Sequence, residues 1–321
     1  MNHFNLVDFL DKKYTSTNGN NIVLKKYKIY SALRFIIRLI ANIIIPIHYI
    51  LTSEKKSHRL DIDKNKHCNI IVSLTSFPRR ISKVWIVIES ILRQSKKPDM
   101  IILWLSNEQF KSKESLPFLL QNQQKRGLQI RFVDDNLSSH KKYYYVIKEF
   151  PNYNIITIDD DILYRSKMIE DLFNYSKRYP KTVIAQYGLE ILWNGDELLP
   201  YCKWSIIKNE TTPNYNVFFG SGGGTFFPPN SLFKDILYKK LFLSITPTAD
   251  DIWLNAMCRL NKIKIVKTKY SSLNLPILYT KKINLYKINI GENMNDIQIA
   301  KVRDYYNINQ GIDPFICSKI Y

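Results

Sequence analysis

The sequence predicts an α/β fold: a mostly parallel sheet flanked by helices, preceded by an amphipathic helical extension. Three observations predict it. Four short apolar runs between residues 70 and 158 alternate with segments of helical periodicity. The fourth run ends in three consecutive acids, Asp159-Asp160-Asp161, where sheets of this kind place their ligands. The first 66 residues differ from the rest, being basic and apolar with no strand-like run.

The N-terminal apolar run covers Ala32 to Pro46. Ser31, Arg34, Arg38 and Asn42 recur at spacings of three and four, which makes one polar stripe on a helix opposite a wide apolar face. Arg34, Arg38, Asn42, Pro46 and His48 interrupt the roughly 20 apolar residues that a spanning helix needs. The run starts too late for a signal peptide, and no small-residue cleavage site follows it. It reads as a helix lying in a membrane interface, with Lys12, Lys13, Lys25, Lys26, Lys28, Lys55, Lys56 and Arg59 available to anionic head groups. A helix packed on the protein's own core is the competing reading. Residues 1–66 hold 12 basic against 5 acidic side chains, in keeping with an anionic membrane surface as partner.

A polar linker, Ser53 to Lys66, precedes the first strand, Ile70 to Leu74, which Thr75-Ser76-Phe77-Pro78 stops. Ser82 is placed to cap a helix running to about Gln94. Strands follow at Met100–Leu105 and Gln129–Val133, then a helix from Lys141 to Phe150 and a strand at Asn154–Ile158. Strands alternating with helices argue a parallel sheet. Further on come a helix from Ile169 to Arg178, a hairpin turn at Trp193-Asn194-Gly195-Asp196, and a run with four glycines in positions 220–224. Asp250 and Asp251 open a helix, Ile252 to Leu260. Three regions result: a basic membrane-associating region over 1–66, a catalytic domain over 67–275, and a segment over 276–321 that packs on it or closes it.

Composition narrows the function classes. Apolar residues make up 45% and charged residues 23%, so the chain has the material for a packed core. A formal charge of +19 points to an anionic partner: nucleic acid, anionic lipid or a phosphorylated substrate. The 4 cysteines form no CxxC pair, which argues against zinc and against a disulfide framework. No histidine lies beyond His140, so any base in the C-terminal half is not histidine. The glycine run lacks the Gly-Lys-Ser/Thr of a P-loop and the spacing of a dinucleotide binder. A nucleic-acid-binding protein is the alternative from another class, but no helix-turn-helix, KH or RRM signature is visible. A nucleotidyltransferase on a related sheet would open with a glycine-rich loop after the first strand, and here that loop is Thr-Ser-Phe-Pro-Arg-Arg.

Three adjacent carboxylates repel one another at a strand end. A divalent cation such as Mg2+ or Mn2+ would relieve that repulsion and bridge phosphate oxygens. A solvated acidic turn capping the next helix is the competing reading. The segment Ile155 to Leu163 resembles the DxD region of GT-A-fold, nucleotide-sugar-dependent glycosyltransferases. Leu74-Thr75-Ser76-Phe77-Pro78-Arg79-Arg80, Ile102-Leu103-Trp104-Leu105-Ser106, Ser138-Ser139-His140-Lys141-Lys142-Tyr143-Tyr144 and Ala249-Asp250-Asp251-Ile252-Trp253 extend the likeness. Together they resemble bacterial family 2-like transferases of capsule and lipopolysaccharide synthesis, from about Asn69 to the Gln298 region.

The resemblance implies a GT-A, Rossmann-like sheet and the following roles. Asp159 and Asp161, with Asp160, would hold Mn2+ or Mg2+ and the donor diphosphate. Thr75, Ser76, Pro78, Arg79 and Arg80 belong to the nucleotide loop, and Ser106 lies where the nucleoside would sit. Lys141 and Lys142 would reach the diphosphate, unless they are an ordinary solvated helix start. Asp134-Asp135 would serve the nucleotide or cap a turn. By residue type alone, Tyr201 and Trp204 would offer a flat surface to a sugar ring, with ordinary core packing the competing reading; by the resemblance, Gly222, Gly223 and Gly224 would line the donor sugar and acceptor, unless the run is a tight strand bend. Asp251 is the expected base of an inverting transfer, with Asp250 the alternative. Asn293 to Gln298 would lie over the donor site. No C-terminal histidine completes a metal shell, which falls to donor phosphates, water or another side chain. The implied partners are a nucleotide-sugar donor, a UDP-sugar favoured, and a glycan or glycolipid acceptor, with no nucleic acid. The implied place is the cytoplasmic face of a bacterial inner membrane, as a peripheral protein, or the cytoplasm.

Overall fold

In the computed structural model the described residues are 5–17, 19, 26–53, 59–60, 69–270, 274–278 and 293–316. Lys25, Lys55, Lys56 and most of the expected linker lie outside them. Two helices come first, α1 (Leu6–Ser16) and α2 (Ile29–Leu51). The strands in chain order are β1 (Ile70–Thr75), β2 (Met100–Ser106), β3 (Leu128–Val133), β4 (Asn154–Ile158), β5 (Ile162–Leu163), β6 (Val183–Ala185) and β7 (Gly188–Glu190). Then come β8 (Trp193–Asn194), β9 (Glu197–Leu198), β10 (Ser205–Ile206), β11 (Val217–Phe219), β12 (Gly223–Phe227), β13 (Ile265–Lys267) and β14 (Leu275–Pro276). The later helices are α3 (Ile81–Leu92), α4 (Phe118–Gln123), α5 (Lys141–Glu149), α6 (Met168–Arg178), α7 (Lys239–Ile245), α8 (Asp250–Leu260) and α9 (Met294–Gln310).

Seven strands form the central sheet in the order β13-β6-β12-β4-β1-β2-β3. All run parallel except β12, which is antiparallel to both β4 and β6. The fold is thus the mostly parallel α/β sheet that the alternating pattern predicts. β12 joins β4 through a register shift between Gly223 and Thr225, with Gly224 at φ +94°. That left-handed conformation suits glycine and is what the run contributes there. β10, β7 and β11 make a small second sheet, β5 pairs with β14, and β8 with β9 forms the expected hairpin around Gly195.

Alternation along the strands builds a core on each face. Ile70, Val72 and Leu74 of β1 face one side, with α1, α2, α3 and α6, while Ile71 faces the other, with α5, α8 and α9. α3 begins at Ile81, with Arg80 at its N-cap, so Ser82 lies within the first turn and does not cap it. α2 turns Ala41, Ile45 and Tyr49 to the core, and Asn42 bonds the Pro276 carbonyl and the Leu278 amide at 3.0 and 2.8 Å. Asn42 of the polar stripe therefore faces the protein, Arg34 and Arg38 are half-buried, Ser31 is exposed, and the wide apolar face points away.

Glu89 in α3 ties this side together. It accepts from Arg126 at 2.7 and 2.9 Å, from Arg93 at 2.7 Å and from Gln123 at 3.0 Å. Burial works to raise its carboxyl, and Arg126 and Arg93 reverse this and hold it below the usual range. Glu89→Ala strands a buried guanidinium and is expected to cost about 3–5 kcal/mol. Urea unfolding should show a lower midpoint with an unchanged slope.

Candidate active site

The sheet's carboxyl edge opens into a cleft of about 570 Å³. Thr75 ends β1, Ser76, Phe77 and Arg80 follow it, and Asp159, Asp160 and Asp161 follow β4. Ser138, Ser139, Lys141 and Lys142 come from the start of α5, and Asp250 and Asp251 from the start of α8. Because β12 runs against its neighbours, the turn before it reaches the same edge.

The acids are opposed by two protein cations. Arg80 lies 2.6 Å from Asp160 and 2.8 Å from Asp161, and the Ser76 hydroxyl donates to Asp160 at 2.6 Å. Lys142 lies 2.8 Å from Asp159 and 3.1 Å from Asp250. Burial alone would push the Lys142 ammonium down; Asp159, Asp250 and Asp251 reverse that and drive it well above its usual range. Five carboxylates against these two cations and Lys141 leave an excess of negative charge on the cleft lining. Burial and repulsion from Asp159 accordingly push Asp161 up to about 7. Gly222 makes the arrangement possible, since a Cβ there would sit 1.7 Å from Oδ2 of Asp159.

The two acids of α8 differ. Asp250 is buried, paired with Lys142, and accepts the Ser221 hydroxyl at 2.7 Å; Lys142 and His140 hold it below the usual range against its burial. Asp251 accepts the Ser221 amide at 2.7 Å, and burial with repulsion from Asp250 raises it to about 7. Ser221 orients both acids. Nothing in the sequence marked it, because a hydroxyl inside a glycine run shows no spacing signal.

Lys141 and Lys142 are buried, so they are not a solvated helix start. Lys141 donates to Asn136 at 2.8 Å, and burial pushes it down to about 8. Among the described residues no carboxylate reaches ion-pair distance of it. Beside it, His140 donates from Nε2 to the Thr246 carbonyl at 2.7 Å, so its Nδ1 accepts from the Tyr143 hydroxyl at 2.8 Å.

Several expected residues lie elsewhere. Pro78 and Arg79 are exposed and do not line the cleft. Ser106 is fully buried, accepts the Glu108 amide and turns the chain; Gln109 reaches the cleft in its place. Asp134 accepts from Asn107 and Asp135 pairs with Lys239, both away from the cleft lining. Tyr201 lines the cleft, whereas Trp204 packs behind it, 5.0 Å from Tyr201 and 5.2 Å from Phe218. Gly223 packs against Tyr187, and Gly224 against Met168. Asn295 of α9 lines the cleft, and Gln298 bonds Thr248 beside it.

A divalent cation, implied by the sequence resemblance, can be tested on the donor set. Asp159 and Asp161 are partly exposed oxygen donors of the type that Mg2+ and Mn2+ take. Among the described residues no group of three or more His, Cys, Asp or Glu side chains could hold a metal. The set fits a cation on two carboxylates that leaves its other positions to water and phosphate, and it does not fit a closed protein cage.

No protein-family model matches the sequence, and no curated protein matches it. Among solved structures, a mannosyltransferase from Pyrobaculum calidifontis in complex with GDP-Man and Mn2+ is similar at 11% identity and a TM-score of 0.49, over 89% of this chain and 78% of that one. A 4-diphosphocytidyl-2C-methyl-D-erythritol synthase is similar at 12% identity and a TM-score of 0.40, over 70% of this chain and 97% of that one. Likeness of this extent says nothing about chemistry, which rests on the cleft itself.

Burial pushes the His140 imidazole down to about 4 from an ordinary 6.5, against the pull of Asp250 and the Thr246 carbonyl. A depressed base gives stability that is full above pH 6.5 and lost as pH falls toward 4. Between pH 7 and 4.5 this single group should remove on the order of 2 kcal/mol. Chemical denaturation across that range should show a steeper loss in the wild type than in His140→Gln.

Proposed function

We propose that this chain transfers a sugar from a nucleoside-diphosphate sugar to a hydroxyl of a growing glycan or glycolipid. One observation carries this reading. A single cleft holds a buried ammonium that no carboxylate among the described residues reaches at ion-pair distance, Lys141, and a carboxyl raised to about 7, Asp251. The first suits a diphosphate, and the second suits the proton of an acceptor hydroxyl.

In this mechanism Lys141 holds the leaving diphosphate, with Ser138 and Ser139 beside it on the same wall. Lys142 stays between Asp159 and Asp250 and fixes the positions of both. Tyr201 and Phe218 give the sugar ring an aromatic face. Asp251 takes the acceptor proton, and Asp250, kept ionised by Lys142, raises the affinity of Asp251 for it. Attack opposite the leaving diphosphate inverts the sugar carbon. A cation on Asp159 and Asp161 would neutralise the charge that develops on the leaving group. Capsule- and lipopolysaccharide-type glycans are the acceptors to which the sequence resemblance points.

Incubation with UDP-, GDP- and CMP-sugars, with Mn2+ or EDTA, should show nucleotide release from one donor, stimulated by acceptor and abolished by EDTA. Release of pyrophosphate from a nucleoside triphosphate would instead favour nucleotidyl transfer. Asp251→Asn should lower kcat by about 10²–10⁴-fold and leave the donor KM nearly unchanged. Gly222→Ala, which displaces the Asp159 carboxylate, should weaken Mn2+-dependent donor binding by titration calorimetry while the chain stays folded.

A further inference from the structure

α2 is amphipathic in an unusual sense: it turns Asn42, with Ala41, Ile45 and Tyr49, to the protein, and leaves most of its apolar residues facing away. Of its 23 residues, Leu33, Ile36, Ile40, Ile43, Ile47 and Ile50 are between 40% and 54% exposed, and Phe35 is 55% exposed. At about 100° per residue the exposed apolar side chains cover about half of the helix circumference. At 1.5 Å per residue the face is roughly 34 Å long. The helix contains no acidic residue, and its mean hydropathy reaches 1.6. Lys26 and Lys28 stand exposed just before its first turn, and Lys12 and Lys13 stand exposed on α1, which packs on it.

We infer that this face of α2 docks flat onto an anionic lipid bilayer and carries the globular domain against it. Breadth favours lipid over a second copy of the chain. A helix–helix seam uses a narrow stripe, whereas half a circumference suits burial in an acyl boundary. The basic residues beside the helix match an anionic headgroup layer. The bonds made by the inner face decide between lying and spanning. Asn42 bonds both sides of the β14 segment, Arg93 donates to the Tyr49 carbonyl at 3.2 Å and to Thr52 at 2.9 Å, and its guanidinium lies 4.4 Å from the Tyr49 ring centre. A spanning helix would break all of these and place Arg34, Arg38 and Asn42 in hydrocarbon. The inference does not depend on the transferase reading, since it concerns a surface outside the cleft.

Flotation of the full chain with phosphatidylcholine vesicles, with and without phosphatidylglycerol, tests it. The wild type should float with the anionic vesicles and be released by alkaline carbonate. A variant carrying Ile36→Asp, Ile43→Asp and Ile47→Asp should lose binding on the order of tenfold or more, with an unchanged thermal melt. Lys26→Glu with Lys28→Glu should remove the preference for anionic vesicles. Failure of the wild type to float, or equal flotation of the triple variant, would overturn the proposal. So would a solution dimer by light scattering that the triple variant makes monomeric. Retention after carbonate would overturn the flat placement.

Discussion

The ammonium of Lys142 is the charge around which the carboxyl edge is arranged. It touches Asp159 at the end of β4 and Asp250 at the start of α8, groups that belong to different halves of the chain. Its own position is set from below. The Lys142 carbonyl accepts the hydroxyl of Ser73 in β1, and that hydroxyl accepts the indole N–H of Trp104 in β2 at 3.0 Å. One turn of α5 is thus clamped to two central strands, and the neighbouring His140 pins the same turn to Thr246. Without this ammonium both acids would lose the cation they share. Arg80 does the same for Asp160 and Asp161, so each of the two acidic clusters has its cation supplied by a loop or helix that follows a strand.

Much of this was legible in the sequence, and the rest was hidden for physical reasons. The strands at 70, 100, 128 and 154 announce themselves because apolar runs bounded by turn residues have few other uses. The acids after β4 follow from the rule that ligands lie beyond strand ends, and those at the start of α8 from the family resemblance. Direction within the pocket does not follow from such rules. Ser106 and Trp204 occupy plausible positions, yet one turns the chain and the other supports Tyr201 from behind. Arg80 looks like a ligand for phosphate and is an internal partner of the triplet. A residue's type sets its available partners, and only tertiary packing chooses among them.

The same limit explains α2. A helical wheel distinguishes two faces but not which of them meets the protein. Asn42 settled the matter by finding a carbonyl and an amide at the edge of a short sheet. Once those bonds exist, Asn42 cannot also face water, and most of the isoleucines of α2 are left outside.

The reversal of β12 has a consequence for how the chain assembles. β1 to β4 follow one another in sequence and form a parallel half-sheet in the order β4-β1-β2-β3. β6 cannot join that half-sheet directly, because β12 has to lie between them and is translated about 40 residues later. During synthesis the edge of β4 therefore stays open, with its acids in place, until the glycine turn arrives. A chain stalled before residue 223 would expose a bare strand edge at β4, a ready template for aggregation.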